Sequence, residues 1–206
     1  MQKNLLFAGI ALLAVLLGWM LLLWEPVGEH NKMPVQAEAP RGGDFTLLGP
    51  RGSVSLKNFR GQVVLLYFGY TWCPDICPTN LAIFSRVLNE LTPEELARVQ
   101  PIFISVDPAR DTVERLKEYT EYFHEKLIGV TGTPTVVEEV AARYGVAYRA
   151  VKPGTETNYA VDHSADTYLV DPEGKLVLQL PHGTTAETLL ARIREQFSGE
   201  AQDKAG

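Results

Sequence analysis

Both cysteines of this chain fall in one short stretch, Tyr70-Thr71-Trp72-Cys73-Pro74-Asp75-Ile76-Cys77-Pro78. An apolar run, Val63 to Phe68, precedes it and reads as a buried strand. Thr79 to Leu91 follows, with Leu81, Phe84, Val87, Leu88 and Leu91 on one side of an amphipathic helix. The thiols therefore sit on a strand-to-helix turn. Pro78 suits the first helical position, where a missing N–H costs nothing. That puts Cys77 about at the N-cap, where the helix dipole favours thiolate over thiol. Pro74 stiffens the loop between the sulfurs. Such a pair has three uses: holding a soft metal, forming a redox disulfide, or forming a structural disulfide. The third is weak, because a bridge closing so short a loop removes little unfolded-state entropy.

A metal would need further ligands, and the chain has four histidines. His30 lies in a polar, proline-containing segment. His124 ends a helix, where an imidazolium suits the dipole. His182 lies in the turn Pro181-His182-Gly183-Thr184. His163, in Val161-Asp162-His163-Ser164, comes just before the strand that enters the terminal hairpin; in a thioredoxin topology that loop faces the cysteine turn. Cys73, Cys77 and His163 would form a soft, low-coordinate set suited to Cu(I), with imidazole also accepting Cu(II). Zinc usually takes a fourth protein ligand or water. Cu(I) with two thiolates carries one net negative charge, which a helix N-terminus stabilises. Nearby acids suggest supporting roles. Asp162 can orient the imidazole or simply solvate its loop. Asp107 and Asp111, in Asp107-Pro108-Ala109-Arg110-Asp111, read as a turn former and a helix cap, or as outer-sphere or partner-docking groups.

These residues must be positioned by the rest of the chain. With 46% hydrophobic and 21% charged residues, it suits one globular domain with appendages, and a net charge of −6 argues against nucleic acid. Residues 5–24 are uncharged and apolar, about 30 Å as a helix. They read as an uncleaved transmembrane anchor after a cytoplasmic tail, residues 1–4, rather than a cleaved signal. Residues 25–43 carry Pro26, Pro34 and Pro40 and read as a linker. The domain spans 44–197 and a flexible tail 198–206. A hairpin over Asp44–Leu48 and Ser53–Leu56 opens the domain. A helix capped at Thr92, a strand Ile102–Val106, and helices Thr112–Phe123 and Thr133–Tyr144 follow. Strand segments Val146–Arg149 and Tyr159–Val161, a hairpin Thr167–Gln179 and a helix Thr185–Phe197 close the chain. This order gives an α/β, thioredoxin-like fold with an N-terminal β-hairpin extension, preceded by a single transmembrane helix.

The segments Gly69–Pro78, Ser105–Thr112, Gly129–Thr133, Val161–Ser164 and Tyr168–Gly174 together resemble the Sco/SenC family, over roughly residues 42–197. Pro134 departs from the charged or polar residue many members carry there. The resemblance implies a metallochaperone in a bacterial-type inner membrane, its domain on the periplasmic side. It would bind a copper ion through Cys73, Cys77 and His163, with a Cys73–Cys77 disulfide when oxidised. The implied partner is cytochrome c oxidase subunit II, whose binuclear copper centre the family helps assemble by delivering copper or reducing cysteines. The alternative is a thiol-disulfide oxidoreductase acting on protein thiols. Against it stand three residues between the cysteines instead of two, and no proline just before Thr167. A peroxide-reducing thiol enzyme would need an upstream proline and a suitably spaced threonine, which are missing.

Overall fold

The computed structural model describes residues 7, 9, 12, 13, 15–20, 40–151 and 159–203, with side chains through Phe197. The chain divides into two compact units, Met1–Pro34 and Val35–Gly206. In the first, the described residues are helical, and Phe7, Leu12, Leu13, Val15, Trp19 and Met20 expose more than half of their surface. Among described residues no helix is long and apolar enough to cross a membrane. The remainder of the 5–24 span, the tail 1–4 and most of the 25–43 linker, with His30, lie outside the described residues.

The second unit is built on a five-stranded sheet of order β5-β4-β3-β8-β9. Its strands are β3 (Val63–Gly69), β4 (Val99–Ser105), β5 (Ile128–Val130), β8 (Thr167–Val170) and β9 (Leu176–Leu180). β3 runs parallel to β4, and β4 to β5, while β8 is antiparallel to both β3 and β9. β3 and β4 are buried at every residue, because helices cover both faces. Alternate residues serve the two sides. Val64, Leu66, Phe68, Ile102, Ile104, Tyr168 and Val170 meet helix Pro134–Arg143 and the N-terminal hairpin. Val63, Leu65, Tyr67, Phe103 and Leu169 meet helices Ile76–Glu90, Val113–Phe123 and Ala186–Asp203. These helices are α4, α1, α3 and α5; α2 is the short Pro93–Ala97 helix, with a complete Thr92–Glu95 capping box. The arrangement is a thioredoxin-like fold.

The N-terminal hairpin, β1 (Thr46–Gly49) and β2 (Gly52–Ser55), bonds through Leu48 to Thr131, next to β5. β6 (Tyr148–Val151) and β7 (Ala160–His163) form a separate antiparallel pair. Four expectations need amendment. β5 was not foreseen, since Ile128-Gly129-Val130 is too short for a periodic signal. Its Gly129 is required: a Cβ there would lie 2.9 Å from Leu116 Cβ of α3. α5 runs on to Asp203, past Phe197. Asp111 caps nothing: Thr112 is the N-cap of α3, its side chain accepting from the Arg115 amide. His124 is not an imidazolium completing a helix dipole. Its Nδ1 accepts the Lys126 amide at 3.0 Å, and burial holds its pKa below the ordinary value.

Candidate metal centre

The site forms where β3 ends and α1 begins. α1 starts at Ile76, with Asp75 as N-cap. Cys77 is thus the second helical residue and Pro78 the third, two positions deeper than the sequence suggests. The spacing explains the difference. Cys77 lies four positions after Cys73, so the Cys73 sulfur can accept the Cys77 amide, at 3.4 Å. A sulfur takes the role that a serine or aspartate oxygen plays at other helix starts. Pro78 still costs nothing, because the first turn has no intrahelical use for its N–H.

The two thiols are unequal. Cys77 is fully buried and Cys73 partly exposed. Hydrogen bonding from Cys77, against the cost of burial, holds the Cys73 thiol far below the ordinary thiol range, with help from the Cys77 and Asp75 amides. Proton sharing with Cys73 and burial push Cys77 up. The thiolate therefore resides on Cys73, not on Cys77 as the N-cap placement suggested. Gly69 makes room for the inner sulfur: a Cβ there would lie 2.6 Å from Cys77 Sγ.

His163 arrives from β7. Its Nε2 lies 3.4 Å from Cys77 Sγ, and its Nδ1 lies 2.9 Å from the Ser164 carbonyl. That carbonyl accepts the Nδ1 proton, which leaves Nε2 as the lone-pair face toward the sulfurs. Tyr67 and Tyr70 meet the imidazole edge-on, with centroids 6.3 and 5.8 Å away. Asp162 does not orient the ring. Alternation along β7 turns it to solvent, where it pairs with Arg149 at 3.4 Å. The donor atoms of Cys73, Cys77 and His163 all lie within 4.8 Å of one another. Two sulfurs and one imidazole nitrogen, largely shielded from water, suit a soft, low-coordinate cation.

Asp111 and Asp107 serve the loops around these donors. Asp111 is fully buried and accepts three bonds: the Thr71 amide at 3.0 Å, the Thr71 hydroxyl at 2.6 Å and the Ser105 hydroxyl at 2.7 Å. It ties the cysteine loop to the end of β4. Burial pushes its carboxyl above the ordinary range despite these donors. Asp107 accepts from Arg110 Nε at 2.5 Å and from the Tyr159 hydroxyl at 2.7 Å. Arg115 donates to Thr71 Oγ1 at 2.6 Å and lies over the exposed Trp72 ring, 4.5 Å from its centroid.

Sequence reasoning passed over Tyr67 and Asn80. The buried Asn80 amide reaches the Tyr67 hydroxyl at 3.1 Å and His182 Nδ1 at 2.9 Å. Tyr67 in turn hydrogen-bonds Cys77. The signal available was a polar residue at a helix position otherwise facing the core.

The SCO1/SenC family model matches residues 34–198. The chain belongs to the SCO1/SenC family. It is 40% identical over 187 residues to Protein SCO2 homolog, mitochondrial, of Bos taurus, covering 87% of this chain and 70% of that one. The crystal structure of Arabidopsis thaliana ScoI with copper bound superposes with a TM-score of 0.70 at 38% identity, covering 77% of this chain and 98% of that one. BsSco is described as carrying a disulfide switch and as a member of the Sco family of cytochrome c oxidase assembly proteins. It matches with a TM-score of 0.60 at 25% identity, covering 77% of this chain and 94% of that one.

Proposed function

We propose that this SCO1/SenC protein is a copper metallochaperone, holding the ion through Cys73 Sγ, Cys77 Sγ and His163 Nε2 and handing it on during assembly of cytochrome c oxidase. The observation that carries this reading is the gathering of two sulfurs and one imidazole nitrogen within 4.8 Å at the end of β3. Copper in the related ScoI structure supports it, as does the oxidase-assembly role stated for BsSco. The implied recipient is the binuclear copper centre of subunit II. Copper is cargo here. The chain supplies a pre-ionised outer sulfur, a buried inner sulfur whose proton must leave on loading, and an imidazole fixed in its Nε2-accepting form. The apolar residues 5–24 support a single N-terminal membrane anchor.

The test uses the full chain in detergent, reduced and loaded with Cu(I). Retained metal should be about one ion per chain, with affinity reduced at least about tenfold in Cys73→Ala, Cys77→Ala and His163→Ala. Unchanged affinity in the histidine variant would remove His163 from the set.

A second reading has its own support: one partly exposed thiolate beside one buried thiol is also the arrangement of a disulfide reductant. The Cys73 thiolate would attack a target disulfide, forming a mixed disulfide and releasing one target thiolate. Cys77, passing its proton to that thiolate, would then attack Cys73, closing Cys73–Cys77 and freeing the second target sulfur as thiolate. Two electrons go from this chain to the target. Strong reduction of protein disulfides by the His163→Ala variant would favour this reading over copper delivery.

A further inference from the structure

The histidine reaches the sulfurs on a hairpin that is not part of the main sheet: among described residues, β7 pairs only with β6. Something else must fix its distance from the cysteine loop. One group touches all the parts concerned. Arg110 Nε bonds Asp107 Oδ2 at 2.5 Å, at the end of β4. Its Nη1 donates to the carbonyl of Tyr159, the residue before β7, at 2.9 Å. The guanidinium carbon lies 3.7 Å from the centre of the Tyr159 ring, and 5.6 and 6.0 Å from the rings of Tyr70 and Trp72 in the cysteine loop. Tyr159 closes the circuit through its hydroxyl, which donates to Asp107 Oδ1 at 2.7 Å.

The anchor end is rigid. Asp107 is 4% exposed; its carbonyl accepts the Arg110 and Asp111 amides, and its own amide bonds the Ser105 hydroxyl. A planar guanidinium can stack on a ring and bond a carboxylate and a carbonyl at once, which an ammonium cannot. Tyr70 also ties this strand to the cysteine loop: it meets His163 edge-on and hydrogen-bonds the backbone of Val161.

We propose that Arg110, with Asp107 and Tyr159, is a latch that presses the β6–β7 hairpin against the cysteine loop, and that its strength sets how fast the imidazole lets go of the cargo. Arg110 and Tyr159 are positioning residues: they touch neither sulfur nor imidazole donor, and act by holding the strand that bears His163. The inference rests on the reading of His163 as a copper ligand. Releasing the latch leaves the ion on two sulfurs.

The test compares wild type, Tyr159→Phe, Arg110→Lys and Arg110→Met as full chains in detergent. Two quantities are read: amide hydrogen exchange of the metal-free protein, and the rate at which Cu(I) passes to a competing chelator. Tyr159→Phe keeps the ring and loses one hydrogen bond, so exchange at Ala160–His163 and Tyr148–Val151 should rise several-fold while β3 and β4 stay protected. Arg110→Met should raise it about tenfold or more, with Arg110→Lys in between. Copper release should accelerate in the same order. Repeated in a His163→Ala background, the latch changes should add nothing to the release rate. Unchanged hairpin exchange in Arg110→Met overturns the latch. So does acceleration that persists without His163, since the effect would then act on the thiols. If His163→Ala alone leaves release unchanged, the ligand reading fails, and the exchange data still decide whether the hairpin is held by Arg110.

Discussion

Cys73 and Cys77 are the same side chain in unlike surroundings, and the difference follows from their positions at one helix start. The outer sulfur accepts a helix amide and the inner thiol's proton; the inner sulfur is walled in against Gly69. Alkylation of the reduced protein should therefore fall on Cys73. Its rate should stay flat from about pH 6 to about pH 9, where a free thiol of pKa about 8.5 accelerates steeply. The folded-state pKa of Cys73 is depressed, so its stabilising contribution is complete above the unfolded value of about 8.5 and is lost as pH falls through the folded value. Gly69→Ala would drive a methyl group into Cys77 Sγ. It should lower Cu(I) affinity at least about tenfold in a chelator competition and destabilise the domain by about 1–3 kcal/mol. The pair of thiols was legible in the sequence because only two cysteines exist. Which one ionises was not, because it depends on the exact helix start, and that is fixed by a sulfur acting as a cap.

At the level of elements, the strands and helices flanking the cysteines follow from their apolar runs, and the cap at Thr92 from its side chain. β5 escaped because three residues around a glycine carry no period. The placement of His163 near the cysteines followed from topology. The readings left open for Asp162 and Asp111 turned on which way a side chain points: strand alternation sends Asp162 to solvent, and the β4–α3 loop folds Asp111 inward to Thr71. Asp111→Asn keeps the size but loses the charge that receives three donors. A loss of about 2–3 kcal/mol is expected in denaturant unfolding, with copper release also faster as the cysteine loop loosens. Asn80→Ala should cost about 1–2 kcal/mol, because α1 loses its tie to the β9–α5 turn through His182 and Tyr67 is left without that donor.

For the whole molecule, the two-faced sheet explains why nearly continuous apolar strands, rather than alternating ones, mark the core. The thioredoxin-like order of elements could be derived because each crossover is short. The first unit is a different matter. Its run of uncharged residues defines a length and not a topology, so the anchor stands as a proposal with a direct check. The full chain should sediment with membranes and resist alkaline carbonate extraction, and removal of residues 1–34 should release it to the supernatant.

Trp72 stands with 57% of its surface exposed, beside Cys73 and under the Arg115 guanidinium. The other two tryptophans, Trp19 and Trp24, belong to the first unit, so beyond Pro34 all indole emission comes from this one ring. The domain therefore carries its own optical gauge. Cu(II), which is paramagnetic, should dim that light on arriving at the adjacent sulfur, while closed-shell Cu(I) should leave it brighter, so that the oxidation state of the bound ion can be followed in real time without any dye.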